Sequence, residues 1–285
     1  MASVLFKNTP VLVRGGGDLA SGAVYRLHRA GFPVIISELP LPRFVRRAVC
    51  YGEAVYSGSA TVEGITARLV RQASDCAAIW TRDEIPVICD PTKGVIQAIK
   101  PVVVVDARME KYNPDTTIQD APLVVALGPG YVAGQDCHAV IETNRGHTLG
   151  RVIYSGAAQP DTGVPGAIVY PNHHRVLRAP ADGYVTPRAQ IGDLIEERQV
   201  IAIIAEQAIT APFDGVLRGL AHPRLPVRAG MKIGDLDPRG QRENCFTISD
   251  KSLAVGGGVL EAVLAAPQAQ TTLWMMAKHE TSSSV

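Results

Sequence analysis

Neither sign of charge dominates this chain: 28 basic and 27 acidic residues leave a formal net charge of +1 over 285 residues. Nucleic-acid binders concentrate a basic excess in a patch, and no such patch is present. Aromatic residues make up only 5% of the chain, too few for a base-stacking surface. No uninterrupted apolar stretch reaches the roughly 20 residues that span a bilayer, so no membrane partner is expected. The five cysteines (Cys50, Cys76, Cys89, Cys137, Cys245) are odd in number and contain no CxxC pair. Reduced thiols in a cytoplasmic protein are the simplest reading. The amino-terminal "MASVLFKNTPVLV" lacks the layout of a secretory signal, because its short apolar run leads straight into glycines. What the chain does have is a globular balance, with 46% hydrophobic and 19% charged residues. Its length suits one large domain or two modest ones.

The first half alternates apolar runs with helical periodicity. "PVLVR" (10–14) and "PVIISE" (33–38) read as strands buried on both faces of a parallel sheet. Further strands are expected at 53–58, 77–80, 85–90, 101–107 and 122–128, with helices at 43–49 and 91–100. Leu19, Ala23, Leu27 and Ala30 recur at helical spacing, and Gly31 marks a stop. Such alternation implies an α/β fold with a doubly wound, Rossmann-like parallel sheet and ligands at the carboxyl ends of its strands. Glu38, Asp106 and Gly128 end three of those strands.

Between the first strand and helix, Gly15, Gly16, Gly17, Asp18, Leu19 and Ala20 fit GxGxxA. Gly15 permits a tight turn, Gly17 the close approach of a pyrophosphate, and Ala20 the helix–strand contact. The helix head then offers free N–H groups to an anion. Glu38 lies where an acid that binds a ribose hydroxyl belongs. The plainer alternative is a turn whose glycines serve only βα packing. Asp18 complicates a phosphate site unless its charge caps the helix or meets a hydroxyl.

In the second half "APADGYV" (179–185) returns as "APFDGVL" (211–217), and Ile195, Ile201 and Ile204 recur as Val227, Ile233 and Leu236. Two copies of strand, Asp-Gly turn and strand suggest interlocking halves of one small β domain. The pattern resembles the barrel-sandwich fold of biotinyl and lipoyl carrier domains. In those carriers a hairpin lysine takes the cofactor; here the hairpin reads Ala205-Glu206-Gln207. The resemblance therefore implies the fold without the swinging arm, and a docking or spacer role.

The polar stretch 126–153 gathers Gly128, Gly130, Cys137, His138, Glu142, Asn144, Arg145 and His147. A thiol beside an imidazole could be held as a thiolate, so Cys137 and His138 are the candidate catalytic pair. An ordinary buried cysteine is the other reading. No metal site is expected, since these residues lack ligand spacing. In "SDKSLAVGGGVLEAVL" (249–264), Lys251 precedes Gly256, Gly257 and Gly258, which are expected to open a helix, either as an anion site or as a turn. His173 and His174 fall in a polar loop between domains. The expected domains are 1–171, 172–240 and a segment 241–267 returning to the first, followed by a mobile tail at 268–285.

Together "VRGGGDLASG", "GEAVYSG", "ALGPGYVAGQDCHAVIETNRGHTLGRVIY", "TGVPG", "KIGDLDPR" and "CFTISDKSLAVGGGVLEAVL" resemble the YqeB-like accessory proteins of the selenium-dependent molybdenum hydroxylase system. The first domain also resembles XdhC-type chaperones. The resemblance implies a cytoplasmic maturation protein that works with a molybdenum hydroxylase and its other maturation proteins, with the molybdenum cofactor as cargo. On that reading Gly15, Gly16, Gly17 and Asp18 face a phosphate, Glu38 a hydroxyl, and Cys137 a chalcogen. Gly128, Gly130, Asn144, Arg145, Lys251, Gly256 and Gly257 complete the enclosure. An NAD(P)-dependent oxidoreductase and a non-catalytic docking scaffold are the alternatives. Turnover and homo-oligomer formation stay open.

Overall fold

The run Val11–Arg14 buries all four of its residues and forms β1, the middle strand of a nine-stranded sheet. The computed structural model describes residues 6–161 and 175–267. To one side of β1 lie β2 (Val34–Glu38), β5 (Ile85–Cys89) and β4 (Ile65–Val70), all parallel, then β3 (Ser59–Val62), antiparallel at the edge. To the other side lie β6 (Val103–Asp106), β7 (Leu123–Leu127) and β9 (Ala139–Ile141), parallel, and β10 (Val152–Ile153), antiparallel. A short ribbon joins β8 (Val132–Ala133) to β11 (Gly156–Ala157). His173, His174, the "TGVPG" motif and the tail 268–285 lie outside the described residues.

Alternation along the strands explains the continuous apolar runs. Val11, Val13, Val34, Ile36, Val103 and Val105 join a core beneath α1 (Asp18–Arg29) and α5 (Asp250–Ala265). Leu12, Ile35, Val104, Val124 and Val140 face the other way, toward α3 (Cys76–Trp80) and α4 (Gly94–Ile99). Both faces are covered, so no polar residue is required at alternate positions.

Four sequence expectations are corrected. Residues 53–58 form no strand: a 3-10 turn at Tyr51–Glu53 leads into α2 (Ala54–Ser57), which ends on left-handed Gly58. Residues 77–80 belong to α3. A four-residue apolar run carries too little periodicity to separate helix from strand. The strands in this region are instead β4 and the edge strand β3, joined by Glu63-Gly64, both at positive φ, which suits a tight hairpin. The helix expected at 43–49 shrinks to a single 3-10 turn at Arg47–Val49. Finally, Gly256–Gly258 do not open a helix. The Ser249 side chain caps α5 upstream by accepting from the Ser252 N–H, and the glycines lie inside the helix. A Cβ at Gly256 would collide with the Gly22 carbonyl of α1, and one at Gly258 with the Gly150 carbonyl. These two glycines let backbones touch.

Residues 176–237 form small antiparallel sheets. One orders β12 (Val176–Arg178), β20 (Lys232–Asp237), β18 (Gly215–Leu220) and β15 (Leu194–Ile195). Another pairs β13 (Gly183–Tyr184) with β19 (Pro226–Val227). The third orders β14 (Thr186–Pro187), β16 (Val200–Ile204) and β17 (Gln207–Thr210). The repeat is visible in the register: Gly183 pairs with Val227, and its copy Gly215 pairs with Ile195, the copy of Val227. The six recurring aliphatic residues are all buried in one core. Among the described residues no helix is long and apolar enough to cross a membrane.

Candidate functional site

The glycine turn sits at the carboxyl end of β1, where the strands of the two sheet halves diverge. Gly15 has φ +94° and lies against the Ala107 carbonyl, a conformation and a space that suit glycine. Gly16 is pressed against Gly52, whose N–H donates to the Gly16 carbonyl at 2.9 Å. The Gly16 N–H donates to Glu38 Oε1 at 2.7 Å, and the Leu39 N–H donates to Oε2 at 2.7 Å. Burial raises the pKa of Glu38, and these two backbone bonds oppose the shift. Gly17 differs from its neighbours: a Cβ there would meet nothing nearer than Phe44 at 3.8 Å. A Cβ fits there in ordinary contact with Phe44, and among the described residues no side chain caps α1. The first-turn N–H groups of an α-helix lack intrahelical acceptors, so they are available to an anion here.

Asp18 does not oppose such an anion. Its Oδ2 accepts from Arg46 Nη1 at 2.7 Å and its Oδ1 from Ser252 Oγ at 2.9 Å, so the carboxylate is compensated and turned toward α5. These partners lie 28 and 234 positions away in sequence, beyond the reach of local pattern.

On the opposite face of the same edge, Arg14 and Asp106 are register partners with buried side chains. Arg108 Nη2 donates to Asp106 at 2.6 Å, and Arg14 holds Asp115 through two bonds at 2.9 and 3.0 Å. The two guanidinium groups hold the Asp115 carboxyl down to about 2 despite partial desolvation. The buried Tyr131 hydroxyl lies beside Asp106 and Arg108 of this network, and among the described residues it makes no well-formed hydrogen bond. Of this network only Asp106 was legible as a strand-ending acid.

The expected site residues divide into two groups. Gly15, Gly16, Gly17, Asp18 and Glu38 are together, and Ser252 brings the head of α5, with Lys251, to the same place. Arg145 reaches that head by pairing with Asp250 at 2.6 Å, although both are exposed. Asn144 instead donates its side-chain amide to Gln159, and its N–H to Glu142. Gly128 and Gly130 take positive φ and lie against Thr143 and Tyr112, filling space within the protein. Gly256 contacts α1, and Gly257 has nothing within 4 Å of its added Cβ. Cys137 belongs to the core on the face away from α1, with none of its surface exposed. Burial pushes its thiol up to about 12. His138 accepts the Val124 N–H on Nδ1 at 3.0 Å, and burial lowers its pKa. The structure therefore does not bring this pair to the glycine turn.

Cys89 went unread as a site residue. It is the one exposed cysteine, it ends β5 in register with Glu38, and alternation places it on the α1 side. Among the described residues no group of three His, Cys, Asp or Glu is placed to hold a metal ion. A surface groove lined by Lys100, Gln119 and Asp120 lies at the amino ends of β6 and β7, the far edge from the glycine turn.

No family model matches the chain. A protein of Escherichia coli (strain K12), described as uncharacterized protein YqeB, is 50% identical over 254 residues, which is 89% of this chain and 47% of that protein. The chain thus spans about half the length of the curated relative it matches. A crystal structure of a succinylglutamate desuccinylase/aspartoacylase from Rhodobacter sphaeroides is similar over 81% of this chain and 85% of that one. Its sequence identity is 14% and its TM-score 0.27, too low to assign a fold.

Proposed function

The chain is YqeB-like across most of its own length, and from that premise we propose that it is a cytoplasmic accessory protein for selenium-dependent molybdenum hydroxylases. It binds a phosphate-bearing cofactor, of molybdopterin type or its nucleotide form, at the glycine turn. It assists the modification of that cofactor or its delivery to the hydroxylase. The observation that carries the phosphate reading is the uncapped head of α1 at Gly17, where an added Cβ would meet only Phe44, with Asp18 tied off by Arg46 and Ser252. The finer fold reading belongs to the same proposal. A strand order centred on β1 supports a Rossmann-like, doubly wound sheet. The paired repeat supports an inserted barrel-sandwich unit of biotinyl/lipoyl type.

Glu38 keeps the NAD(P)-dependent reading in view, because it ends β2 where a ribose-binding acid stands. Both of its oxygens, however, already accept backbone N–H groups of the turn. Titration of the purified protein separates the readings. Saturable binding of molybdenum cofactor, lost in Gly17→Val, supports the proposal. Binding of nicotinamide nucleotides in its place overturns it. Gly17→Val acts by placing a branched side chain where a phosphate would sit. Its unfolding midpoint is expected to fall only slightly, since an added Cβ there meets only Phe44, at ordinary contact distance.

A further inference from the structure

The head of α1 is bordered by more than the sheet. The loop after β2 runs past it and is gripped on its far side by β18. The Leu220 N–H donates to the Val45 carbonyl at 2.8 Å, and Arg47 Nε donates to the Leu220 carbonyl at 2.8 Å. Gly219 abuts the Val45 carbonyl so closely that a Cβ would lie 2.9 Å from it. Arg46 stands between these contacts. It is only 7% exposed, its Nη1 holds Asp18 of α1, and its Nε–H has no acceptor among the described residues. A buried guanidinium N–H without an acceptor is costly and calls for one.

Other basic side chains converge on the same place. Arg218 of β18 and Arg46 both donate to the Asn244 carbonyl, at 3.3 and 3.2 Å, which puts two guanidinium groups side by side. Lys232 of β20 is open to solvent, yet burial lowers its pKa, and Asp18 and Arg46 are within its electrostatic reach. Both observations fit a side chain standing in a cleft. Lys251 of α5 is partly buried, its pKa is lowered by burial, and it too feels Asp18. Among the described residues neither lysine makes an ion pair. The nearby acids are already engaged: Asp18 by Arg46, Asp235 by Arg175 at 2.7 Å, and Asp237 by Arg239 at 2.6 Å. The cleft therefore carries uncompensated positive charge beside an uncapped helix head, without a bulk basic excess in the chain.

We infer that the cleft between the antiparallel unit and the heads of α1 and α5 is the second half of the phosphate site, and that the whole site takes a pyrophosphate-bearing ligand. The glycine turn holds one phosphoryl group through backbone N–H donors. Arg46, Lys232 and Lys251 hold the other through charge-assisted bonds. The antiparallel unit is then a wall of the ligand site rather than a spacer. The inference rests on the phosphate reading of the glycine turn.

Calorimetric titration of the full chain with inorganic pyrophosphate and inorganic phosphate tests it. Pyrophosphate is expected to bind more tightly than phosphate. Lys232→Met and Lys251→Met should each weaken pyrophosphate binding at least tenfold, change phosphate binding less than threefold, and leave the unfolding midpoint in place. Lys100→Met, at the far edge, should change neither. Unaltered pyrophosphate affinity in both cleft variants, with binding lost in Gly17→Val, overturns the cleft and leaves the turn standing. Failure of both anions to bind the parent chain overturns the turn reading, and the cleft with it.

Discussion

Gly16 and Gly17 are neighbours with opposite tolerances, one pressed against backbone and the other not. A Cβ at Gly16 would lie 2.7 Å from the Gly52 backbone, which cannot retreat without pulling the loop that carries Arg46. Gly16→Ala should therefore cost about 2 kcal/mol in denaturant unfolding. Gly17→Ala should cost only about 0.5 kcal/mol, because its backbone is extended and an added Cβ meets Phe44 at an ordinary contact distance. The cysteines divide in the same way. A thiol reagent applied to the native protein should label Cys89 first, as read by peptide mass spectrometry, while buried Cys50, Cys76, Cys137 and Cys245 react on unfolding. Prior labelling of Cys137 would contradict the placement described. Sequence pattern placed Gly15–Gly17 and Glu38 at one sheet edge, and they do lie together there, because strand, turn and acid follow one another within a short stretch. It missed Arg46 and Ser252, whose roles come from contacts made across the fold. It overvalued Cys137, because adjacency to a histidine says nothing about which face of a sheet a thiol meets.

At the scale of elements, α5 gives a matched pair. Gly257→Ala replaces a poor helix former at an open position and should stabilise the protein by about 0.5–1 kcal/mol. Gly256→Ala forces a Cβ against the Gly22 carbonyl and should destabilise by about 2–3 kcal/mol, judged by the urea midpoint. If the two variants behaved alike, the close approach of α1 and α5 would be wrong. The strands β1, β2, β5, β6 and β7 were legible because each buries a run of apolar residues on both faces. The stretches at 53–58 and 77–80 were not. Residues 77–80 are as apolar as a strand, residues 53–58 mix apolar with polar side chains, and local bonds such as Gly58 N–H to the Ala54 carbonyl decide for helix. The repeat in the second half was the most transparent feature of all, since two copies must agree in register to pair with each other.

At the scale of the whole molecule, the antiparallel unit is fastened to the sheet by a stack that responds to pH. His222 lies parallel to Tyr56 with ring centroids 3.8 Å apart, and Arg224 stands over the same tyrosine at 5.1 Å. Burial, with Arg47 and Arg224 nearby, pulls the His222 pKa down to about 4. The unfolded imidazole titrates near 6.5, so between these values the unfolded state binds more protons. Stability from this group is thus full above pH 6.5 and falls away as the pH drops toward 4. The melting temperature should follow that slope, and His222→Phe should flatten it while keeping the stack. The order of synthesis adds a constraint. The bond from Ser252 to Asp18 spans 234 positions, and the helix that covers α1 is made after every strand of both sheet systems. A nascent chain therefore carries an uncovered apolar sheet face until translation has passed the antiparallel unit, whose own strands find all their partners among themselves. In a growing chain the later of these two units is the first able to close, and during that interval the glycine turn still lacks its contact with α5.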